Sequence, residues 1–343
     1  MRRNPSILSR VVLLLLGTLL AATAVAGPAS ASPAPRFRIV DLGTLGGHFS
    51  AAFAVNDHGQ VVGTSTVRAG SEDSHAFLWS GGRMRDLGTL GGHLSAALDV
   101  NDHGQVVGGA DTASSAGHAF LWAHGRMRDL GTLGGGFSYA TGINDQGVVV
   151  GVSATTSGET HAFLWRDGHM KDLGLGDTST ANDVNDHGQI VGGYHGPLGS
   201  FRAYRWQRGT AKTIDTQSSY SEAFALNDRG QAAGWAAFPG ASMFRAALFS
   251  HGQTVDLGAL AGGDAFSQAN GINHRGQVVG VTDTSAGPLH AFLWQDGRMT
   301  DLGALSDQGM NGGSAAYDIN DRGLIVGGSG LATGDAHAVL WRR

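Results

Sequence analysis

The chain contains no cysteine, which excludes disulfide bonds and a cysteine nucleophile. It also lacks the Gly-x-Ser-x-Gly sequence that presents a serine nucleophile on a strand-to-helix turn. No stretch after the N-terminus sustains an apolar period of 3.6 residues, so helices are not expected. No apolar stretch after residue 26 is long enough for a membrane span, which needs about 20 residues. These absences leave a protein built from short strands and turns.

The N-terminus has the features of a secretory signal. Three arginines, Arg2, Arg3 and Arg10, precede an uncharged apolar stretch over residues 11–26, and Ala-Ser-Ala at residues 29–31 suits cleavage after Ala31. We expect residues 1–31 to be a signal peptide and residues 32–36 to be a short linker. The protein is therefore expected to be secreted, by either the general or the twin-arginine route.

The charge balance argues against nucleic acid as a partner. The whole chain has 23 basic and 28 acidic residues, and removal of the three signal arginines leaves 20 basic residues. The mature net charge is then about −8, whereas nucleic-acid binding relies on basic surfaces. No membrane association is expected once the signal has been removed.

Seven copies of one unit of roughly 43 residues fill the chain from about Phe37 onward. Each copy carries an Asn-Asp-x-Gly turn or a close variant, and consecutive copies are 41 to 47 residues apart. Such a period is typical of repeat architectures. We number the units 1 to 7 by their anchoring asparagines, which are Asn56, Asn101, Asn144, Asn185, Asn227, Asn273 and Asn320.

Each unit is predicted to be a four-stranded antiparallel meander. Four short apolar runs are bounded by Gly, Asn, Asp and Ser, as expected of strands and turns. The Asn-Asp-x-Gly turn predicts a hairpin between the first two strands, because Asx side chains bond local backbone and Gly adopts positive φ. His-Ala-Phe-Leu-Trp, as at His75–Trp79, would be the third strand. Its two faces are both mostly apolar, so both should be covered by neighbouring units.

The repeats are offset relative to the chain ends. A third strand at His337–Trp341 has no fourth strand after it, while Phe37–Gly43 resembles a fourth strand that no third strand precedes. Pairing of these two segments would leave no open sheet edge. We therefore predict an all-β, seven-bladed β-propeller over residues 37–343, closed by the N-terminal strand 37–43. The Asp-Leu-Gly segments that mark the fourth strands lie at Asp41, Asp86, Asp129, Asp172, Asp215, Asp256 and Asp301, with Ile-Asp-Thr as the variant at Asp215.

The recurring motifs resemble those of the extracellular HAF-repeat family. His-Ala-Phe recurs at His75, His118, His161 and His290, in constant order with Asp-Leu-Gly-Thr-Leu-Gly-Gly and Asn-Asp-x-Gly-Gln-Val-Val-Gly. The resemblance implies a secreted bacterial repeat protein and assigns no catalytic residues. Units 4 and 5 depart from it, because Arg202–Trp206 and Arg245–Phe249 replace His-Ala-Phe-Leu-Trp.

The repeated His and Asp are interpreted as scaffold. His75, His118, His161, His290 and His337 occupy one equivalent position, and radial repetition would hold such positions a whole blade apart. We expect each to bond backbone or the Asp of the Asp-Leu-Gly segment, and each such Asp to accept N–H bonds from the turn that follows. No metal site and no cofactor are predicted.

A ligand-binding patch is predicted in units 4 and 5. The connections on one face vary most in length, and binding residues are usually carried by loops on a rigid scaffold. Exposed aromatics suit recognition of sugar rings or peptides; the alternative is that these units have refilled their core with larger side chains. The candidate residues, all assigned to loops of that face, are Tyr194, His195, Tyr220, Trp235 and Phe238.

The function expected from the sequence is that of a secreted, non-enzymatic binding or scaffold module, a monomer with a glycan, cell-wall or protein ligand. The alternative is an exported enzyme acting on extracellular polysaccharide, with acid and base among Asp264, Asp307 and Glu222. A cell-wall structural protein without a small ligand is a third possibility.

Overall fold

The computed structural model describes residues 37–196, 199–215, 217–285, 287–307 and 312–343. The predicted signal peptide (1–31) and linker (32–36) lie outside these residues. The described part of the chain consists of strands and connecting turns, without a helix. It accordingly contains no helix with the length and apolarity to cross a membrane.

Twenty-eight strands follow the repeat. β1 (Arg38–Asp41) precedes unit 1. Unit 1 has β2 (Ser50–Val55), β3 (Val61–Thr66), β4 (Ser74–Ser80) and β5 (Arg83–Asp86); unit 2 has β6 (Gly91–Val100), β7 (Val106–Thr112), β8 (Gly117–Ala123) and β9 (Arg126–Asp129). Unit 3 has β10 (Gly134–Ile143), β11 (Val149–Thr155), β12 (Thr160–Arg166) and β13 (His169–Asp172); unit 4 has β14 (Asp183–Val184), β15 (Ile190–His195), β16 (Phe201–Gln207) and β17 (Thr210–Thr213). Unit 5 has β18 (Ser221–Leu226), β19 (Ala232–Ala236), β20 (Arg245–Ser250) and β21 (Gln253–Asp256). Unit 6 has β22 (Ser267–Ile272), β23 (Val278–Thr282), β24 (His290–Gln295) and β25 (Arg298–Asp301); unit 7 has β26 (Ser314–Ile319), β27 (Ile325–Gly330) and β28 (Ala336–Arg342).

The strands form antiparallel meanders, as the sequence predicted. Five sheets have four strands each, and a sixth has eight strands. The larger sheet comprises the meanders of units 1 and 2, joined by a single parallel bridge between Ser74 and Leu94. The fold is therefore all-β, organised in four-stranded antiparallel units.

The two ends of the described chain meet in one sheet. β1 pairs with β28 in antiparallel register, with Ile39 opposite Trp341 and Val40 opposite Leu340, and the sheet order is β1-β28-β27-β26. The pairing covers Trp341, whose side chain is fully buried. The N-terminal strand thus supplies the fourth strand of unit 7, over Arg38–Asp41 within the predicted 37–43.

The Asn-Asp-x-Gly segments form the predicted hairpin turns. In unit 1, Asn56 Oδ1 accepts the backbone N–H groups of His58 and Gln60, at 3.1 and 2.9 Å. Gly59 closes the turn at φ +75° and donates its N–H to the Asn56 carbonyl oxygen. The asparagine is buried because its side chain is the hydrogen-bonding centre of the turn.

Glycine is required in the second strand of each unit by close contact with the first. A Cβ atom at Gly63 would collide with the Ala51 carbonyl oxygen, and the same holds for Gly108 against Ala96 and Gly151 against Tyr139. The close approach lies beside a β-bulge of the first strand, such as the register shift between Ala97 and Asp99.

The hydrophobic core lies between adjoining units. One cluster combines Val107 and Ala119 of unit 2 with Phe163 and Trp165 of unit 3. The phenylalanine of the third strand is fully buried in units 1, 2, 3 and 6. Each unit therefore needs a neighbour on both faces, as the apolar third strand predicted.

Candidate functional site

A channel of about 240 Å³ is lined by the Asn-Asp-x-Gly turns of all seven units. The residue before each asparagine adds an aliphatic side chain, so the wall has a polar rim and an apolar ring. The aliphatic residues are Val55, Val100, Ile143, Val184, Leu226, Ile272 and Ile319.

Hydrogen bonds between units hold the rim. Each anchoring asparagine donates from Nδ2 to the backbone oxygen of the next asparagine, as Asn56 does to Asn101 at 2.9 Å. The series runs through units 2 to 6, and Asn320 donates to the Asn56 oxygen at 2.8 Å. The asparagine side chains are thereby used in hydrogen bonds within the turns and between units. The side chains of the residues beside them face the channel.

Six aspartates and one histidine follow the asparagines at the rim. The aspartates accept backbone N–H bonds from the preceding unit, as Asp102 does from Asp57 at 2.9 Å. The rim therefore carries six carboxylates. The aspartates are Asp57, Asp102, Asp145, Asp186, Asp228 and Asp321.

His274 interrupts the carboxylates of the rim. Its Nε2 lies 2.9 Å from Asp228 Oδ2, and its Nδ1 lies 2.7 Å from Asp321 Oδ2. Burial opposes the charged form, but the hydrogen bond with Asp228 and the charge of Asp321 outweigh it and raise the pKa of His274. The same pair lowers the pKa of Asp228 despite its burial. The position between two carboxylates therefore favours the protonated form of His274.

Three further carboxylates lie in the channel wall, at Asp99, Asp183 and Asp318. Each sits at the bulge of a first strand or in the equivalent place, and accepts two backbone N–H bonds. Asp318, for example, accepts from Ile319 at 2.7 Å and from Val55 of unit 1 at 2.9 Å. The equivalent residue in the other four units is alanine or glycine, Ala54, Gly142, Ala225 or Gly271.

Burial raises the pKa of all three wall carboxylates. The pKa of Asp183 and that of Asp318 rise to about 6, mainly through burial and against their backbone hydrogen bonds. The pKa of Asp99 is raised well above its ordinary value by burial and by the charges of Asp183 and Asp318. The three groups therefore interact across the channel, where a cation would relieve their repulsion.

The sequence did not lead us to these three residues. The sequence feature that distinguishes them is an aspartate two positions before the anchoring asparagine, which occurs only in units 2, 4 and 7. In a strand, that position could face either side of the sheet, and the bulge decides which.

The repeated histidines have the predicted structural role. Nδ1 of His118 lies 2.8 Å from Asp129, and the same pairing joins His75 to Asp86 and His337 to Asp41. The aspartate also accepts the N–H of the glycine two residues later, for example Gly131 at 2.7 Å. In the described part of the chain no serine hydroxyl bonds these histidines, so the pairs are not assembled into a serine-hydrolase triad.

The assignment of Asp215 to the repeated Asp position is wrong. Thr213 pairs with Tyr204 as Asp86 pairs with Phe77, so Thr213 is the equivalent residue. Asp215 lies two residues further on, where its Oδ1 accepts N–H bonds from Gln217 and Ser218 and a hydroxyl bond from Thr254. The shift occurs because Ile214 occupies the Leu87 position, as its N–H bond to Ala203 shows.

Three of the five predicted ligand residues lie in strands and not in loops. Tyr194 and His195 end β15, and Trp235 lies in β19, because the second strand extends beyond the glycine that recurs in every unit. Tyr194 packs edge-on against Tyr204 and bonds Thr213, and His195 packs against Phe201. These contacts favour core refilling at Tyr194.

The remaining predicted residues form a partly exposed apolar patch. Trp235 packs against Phe244 at 4.4 Å between ring centroids, and Phe244 is 46% exposed. Tyr220 is 45% exposed, and its backbone oxygen accepts the N–H of Ala237, next to Phe238. Phe238 packs on the core between units 4 and 5.

The candidate acid and base residues do not bond one another. Glu222 is enclosed with Thr180 and Asn182, each 2.9 Å away, and burial raises its pKa. Asp264 caps Ser242, and Asp307 lies 3.0 Å from His290 Nε2. Within the described residues, no three His, Cys, Asp or Glu side chains are arranged to hold a metal ion.

Comparison with known proteins identifies the fold. No protein-family model matches the chain, and no curated protein matches it. Among solved structures, the β-propeller domain of the Trilobed protease from Pyrococcus furiosus is similar, with a TM-score of 0.56 and 10% identity over 85% of this chain and 95% of that one. This chain is a β-propeller.

Two further solved structures, of a puromycin hydrolase and an acylaminoacyl peptidase, are similar. A puromycin hydrolase matches with a TM-score of 0.52 and 14% identity, over 82% of this chain and 50% of its own. An acylaminoacyl peptidase matches with a TM-score of 0.52 and 11% identity, over 86% of this chain and 51% of its own. This propeller thus spans about half the length of either protein.

The expected function as a non-enzymatic binding or scaffold module is contradicted by these matches. The similar propellers belong to a protease, a peptidase and a related hydrolase, which is closer to the enzyme alternative. That alternative named polysaccharide, whereas two of the matched names concern peptide bonds.

Proposed function

We propose that this chain is a peptide-handling β-propeller of the peptidase type, which attracts peptides to its channel by their positively charged amino end. The observation that carries the proposal is the acidic channel. Carboxylates at the rim and in the wall focus a negative potential within a narrow space with aliphatic walls. An ammonium group entering the channel would donate hydrogen bonds to its carboxylates. Its positive charge would also reduce the repulsion among the three wall carboxylates.

We infer that the propeller serves a peptidase activity in which a separate catalytic unit carries out bond cleavage. The repeated His–Asp pairs are committed to the turns of their own units, as at His118 and Asp129. The partial coverage of the matched hydrolases also supports this division, since half of each lies beyond the match.

We further infer that the seven units close into one ring of seven blades. Support comes from the pairing of β1 with β28, and from the Asn320–Asn56 bond that returns the rim series to its first member. Asp321 repeats this return by donating its N–H to Asp57 at 2.9 Å. The eight-stranded sheet then counts as two blades linked by one bridge.

Membership of the HAF-repeat family and export by the N-terminal signal are also proposed. Both rest on the sequence: the ordered recurrence of the three motifs, and the arginines and apolar stretch of residues 1–31. Purification from culture medium, with mass determination of the N-terminus, tests whether cleavage occurs after Ala31.

The function is tested by isothermal titration calorimetry of the purified protein with the peptide Ala-Ala-Leu and with its N-acetylated form. We expect the free amine to bind at least tenfold more tightly, and Asp183→Asn with Asp318→Asn to reduce that preference. Asp264→Asn, an exposed carboxylate away from the channel, is the matched control. Equal binding of both peptides would refute the proposal, and hydrolysis of peptide by this protein alone would refute the assignment of cleavage to a separate unit.

A further inference from the structure

A second cavity, of about 330 Å³, lies between units 4 and 5 and is lined by basic and apolar side chains. Arg205, Lys212 and Arg229 supply the positive charge, in a protein whose net charge is negative. Among the described residues, none of those lining the cavity is acidic. The apolar part of the lining is Val191, Ile214, Leu226, Ala232 and Phe249.

The cavity exists because two large repeat residues are replaced by smaller ones. Ala232 pairs with Phe249 as Val106 pairs with Trp122 in unit 2, so alanine replaces valine and phenylalanine replaces tryptophan. In the equivalent space between units 1 and 2, the Arg85 guanidinium lies 5.2 Å from the Trp122 ring. The space filled there by indole is partly open between units 4 and 5.

An arginine also takes the place of a leucine. Arg205 is opposite Val191 as Leu78 is opposite Val62, and every other unit has leucine here. Its Nη1 donates to the Gly230 backbone oxygen at 3.3 Å, which anchors the side chain but does not neutralise it. Because the other six units have leucine at this position, the fold does not require a cation there.

Within the residues that the structure describes, no salt bridge joins the cations of this cavity to a carboxylate. Thr213 occupies the Asp86 position of the repeat, so this part of the lining is uncharged. In the described part of the chain, the Arg–carboxylate pairs are Arg166–Asp167 and Arg245–Asp256. A site with three unpaired cations favours an anionic ligand.

The cavity adjoins the acidic channel. Leu226 lines both, and the same turn presents Asp228 to the channel and Arg229 to the cavity. Negative and positive groups are therefore side by side on one face of the propeller. A ligand with an amino group at one end and a carboxylate at the other would match this order of charges.

We propose that this cavity binds the carboxyl-terminal residue of a short peptide. The α-carboxylate would accept hydrogen bonds from Arg205 and Arg229, and an apolar side chain would pack on Ile214, Ala232 and Phe249. The apolar lining distinguishes such a residue from a free inorganic anion, which would leave that surface unused. The volume is at the lower end of the range for ligand pockets, about 300–1,000 Å³, as expected for a short ligand. This proposal rests on the proposed peptide-handling function.

The test is calorimetric titration with Ala-Ala-Leu as free acid and as C-terminal amide. The wild type should bind the free acid at least tenfold more tightly. Arg205→Leu restores the residue of the other six units, so the fold should be retained, and it should abolish the preference for the acid. Arg229→Gln should weaken binding of the acid, whereas Arg322→Gln, in the equivalent turn of unit 7, should have no effect.

The outcomes separate this proposal from the previous one. Equal binding of acid and amide, or an unchanged preference in Arg205→Leu, would overturn the cavity proposal while leaving the amine preference intact. An Arg205-dependent acid preference without an amine preference would support the cavity and overturn the channel function. Competition by inorganic phosphate as strong as that of the free acid would show an anion site only, and would also overturn the proposal.

Discussion

Acidification from pH 7.5 to pH 5 is predicted to stabilise the protein. The pKa of Asp183 and of Asp318 is raised to about 6 in the fold, from an ordinary value of 3.8. The folded state therefore binds protons that the unfolded chain releases between these two values. Stability consequently increases as the pH falls through 6, and levels off below about 4.

The magnitude follows from the two pKa values. For one carboxylate the linkage relation gives about 1.4 kcal/mol between pH 7.5 and pH 5. We reduce this to about 1 kcal/mol for each group, because the wall carboxylates keep some contact with solvent in the channel. His274 and His290 act in the same direction, since their raised pKa values mean that their contribution is lost as the pH rises. The lowered pKa values of Asp228 and Asp301 act below this window.

The assay is urea unfolding followed by tryptophan fluorescence at pH 5, 6, 6.75 and 7.5. The unfolding free energy should rise by about 2 kcal/mol or more toward pH 5. Asp318→Asn should remove about 1 kcal/mol of that rise, and slightly more if it also lowers the pKa of Asp99 and Asp183. Asp264→Asn should leave the slope unchanged, because the pKa of that exposed carboxylate is lowered. A free energy that falls steadily from pH 7.5 to pH 5 would refute the reasoning.

Three further changes test the scaffold. Deletion of residues 37–43 should expose the buried Trp341 and cost about 3 kcal/mol or more, measured by thermal unfolding; an unchanged melting temperature would contradict closure by β1. His118→Gln should cost about 1 kcal/mol by loss of the bond to Asp129, without affecting peptide binding. Tyr220→Ala should change stability by less than about 0.5 kcal/mol, so any loss of peptide binding would assign the exposed patch a ligand role.

Much of the fold was predictable because each motif occurs in seven copies that can be compared with one another. Turn residues such as Asn56 and Gly59 have the same local chemistry in every unit, and local chemistry is what a sequence displays directly. The N-terminal fourth strand was predictable by subtraction, since one unit lacked it. The precise end of the second strand was not, because hydrogen bonding of Tyr194 to the third strand depends on packing across the sheet.

The candidate sites were less predictable, for reasons of orientation and alignment. Asp99 looked like any polar residue of a strand, and only the bulge turns its carboxylate toward the channel. Arg205 was visible as a departure from the repeat, but the cavity beside it depends on Ala232 and Phe249, which are distant in sequence. The misplacement of Asp215 also hid the uncharged Thr213 at the repeated aspartate position.

The acidic channel and the basic cavity are connected by the turn of unit 5, where Asp228 and Arg229 are consecutive. In units 1, 2 and 4 the second position is histidine, and in unit 3 it is glutamine, so a cation at that place is not required by the turn. Arg275 and Arg322 occupy the equivalent place in units 6 and 7, but the preceding units there have Leu248 and Leu293 where unit 4 has Arg205. What distinguishes the boundary of units 4 and 5 is therefore the combination of a removed carboxylate, an added arginine and reduced apolar volume. Neutral sequence drift does not explain Arg205 well. An unpaired, partly buried charge is costly, so substitutions without a function would tend to remove an arginine from a position that holds leucine in the other units.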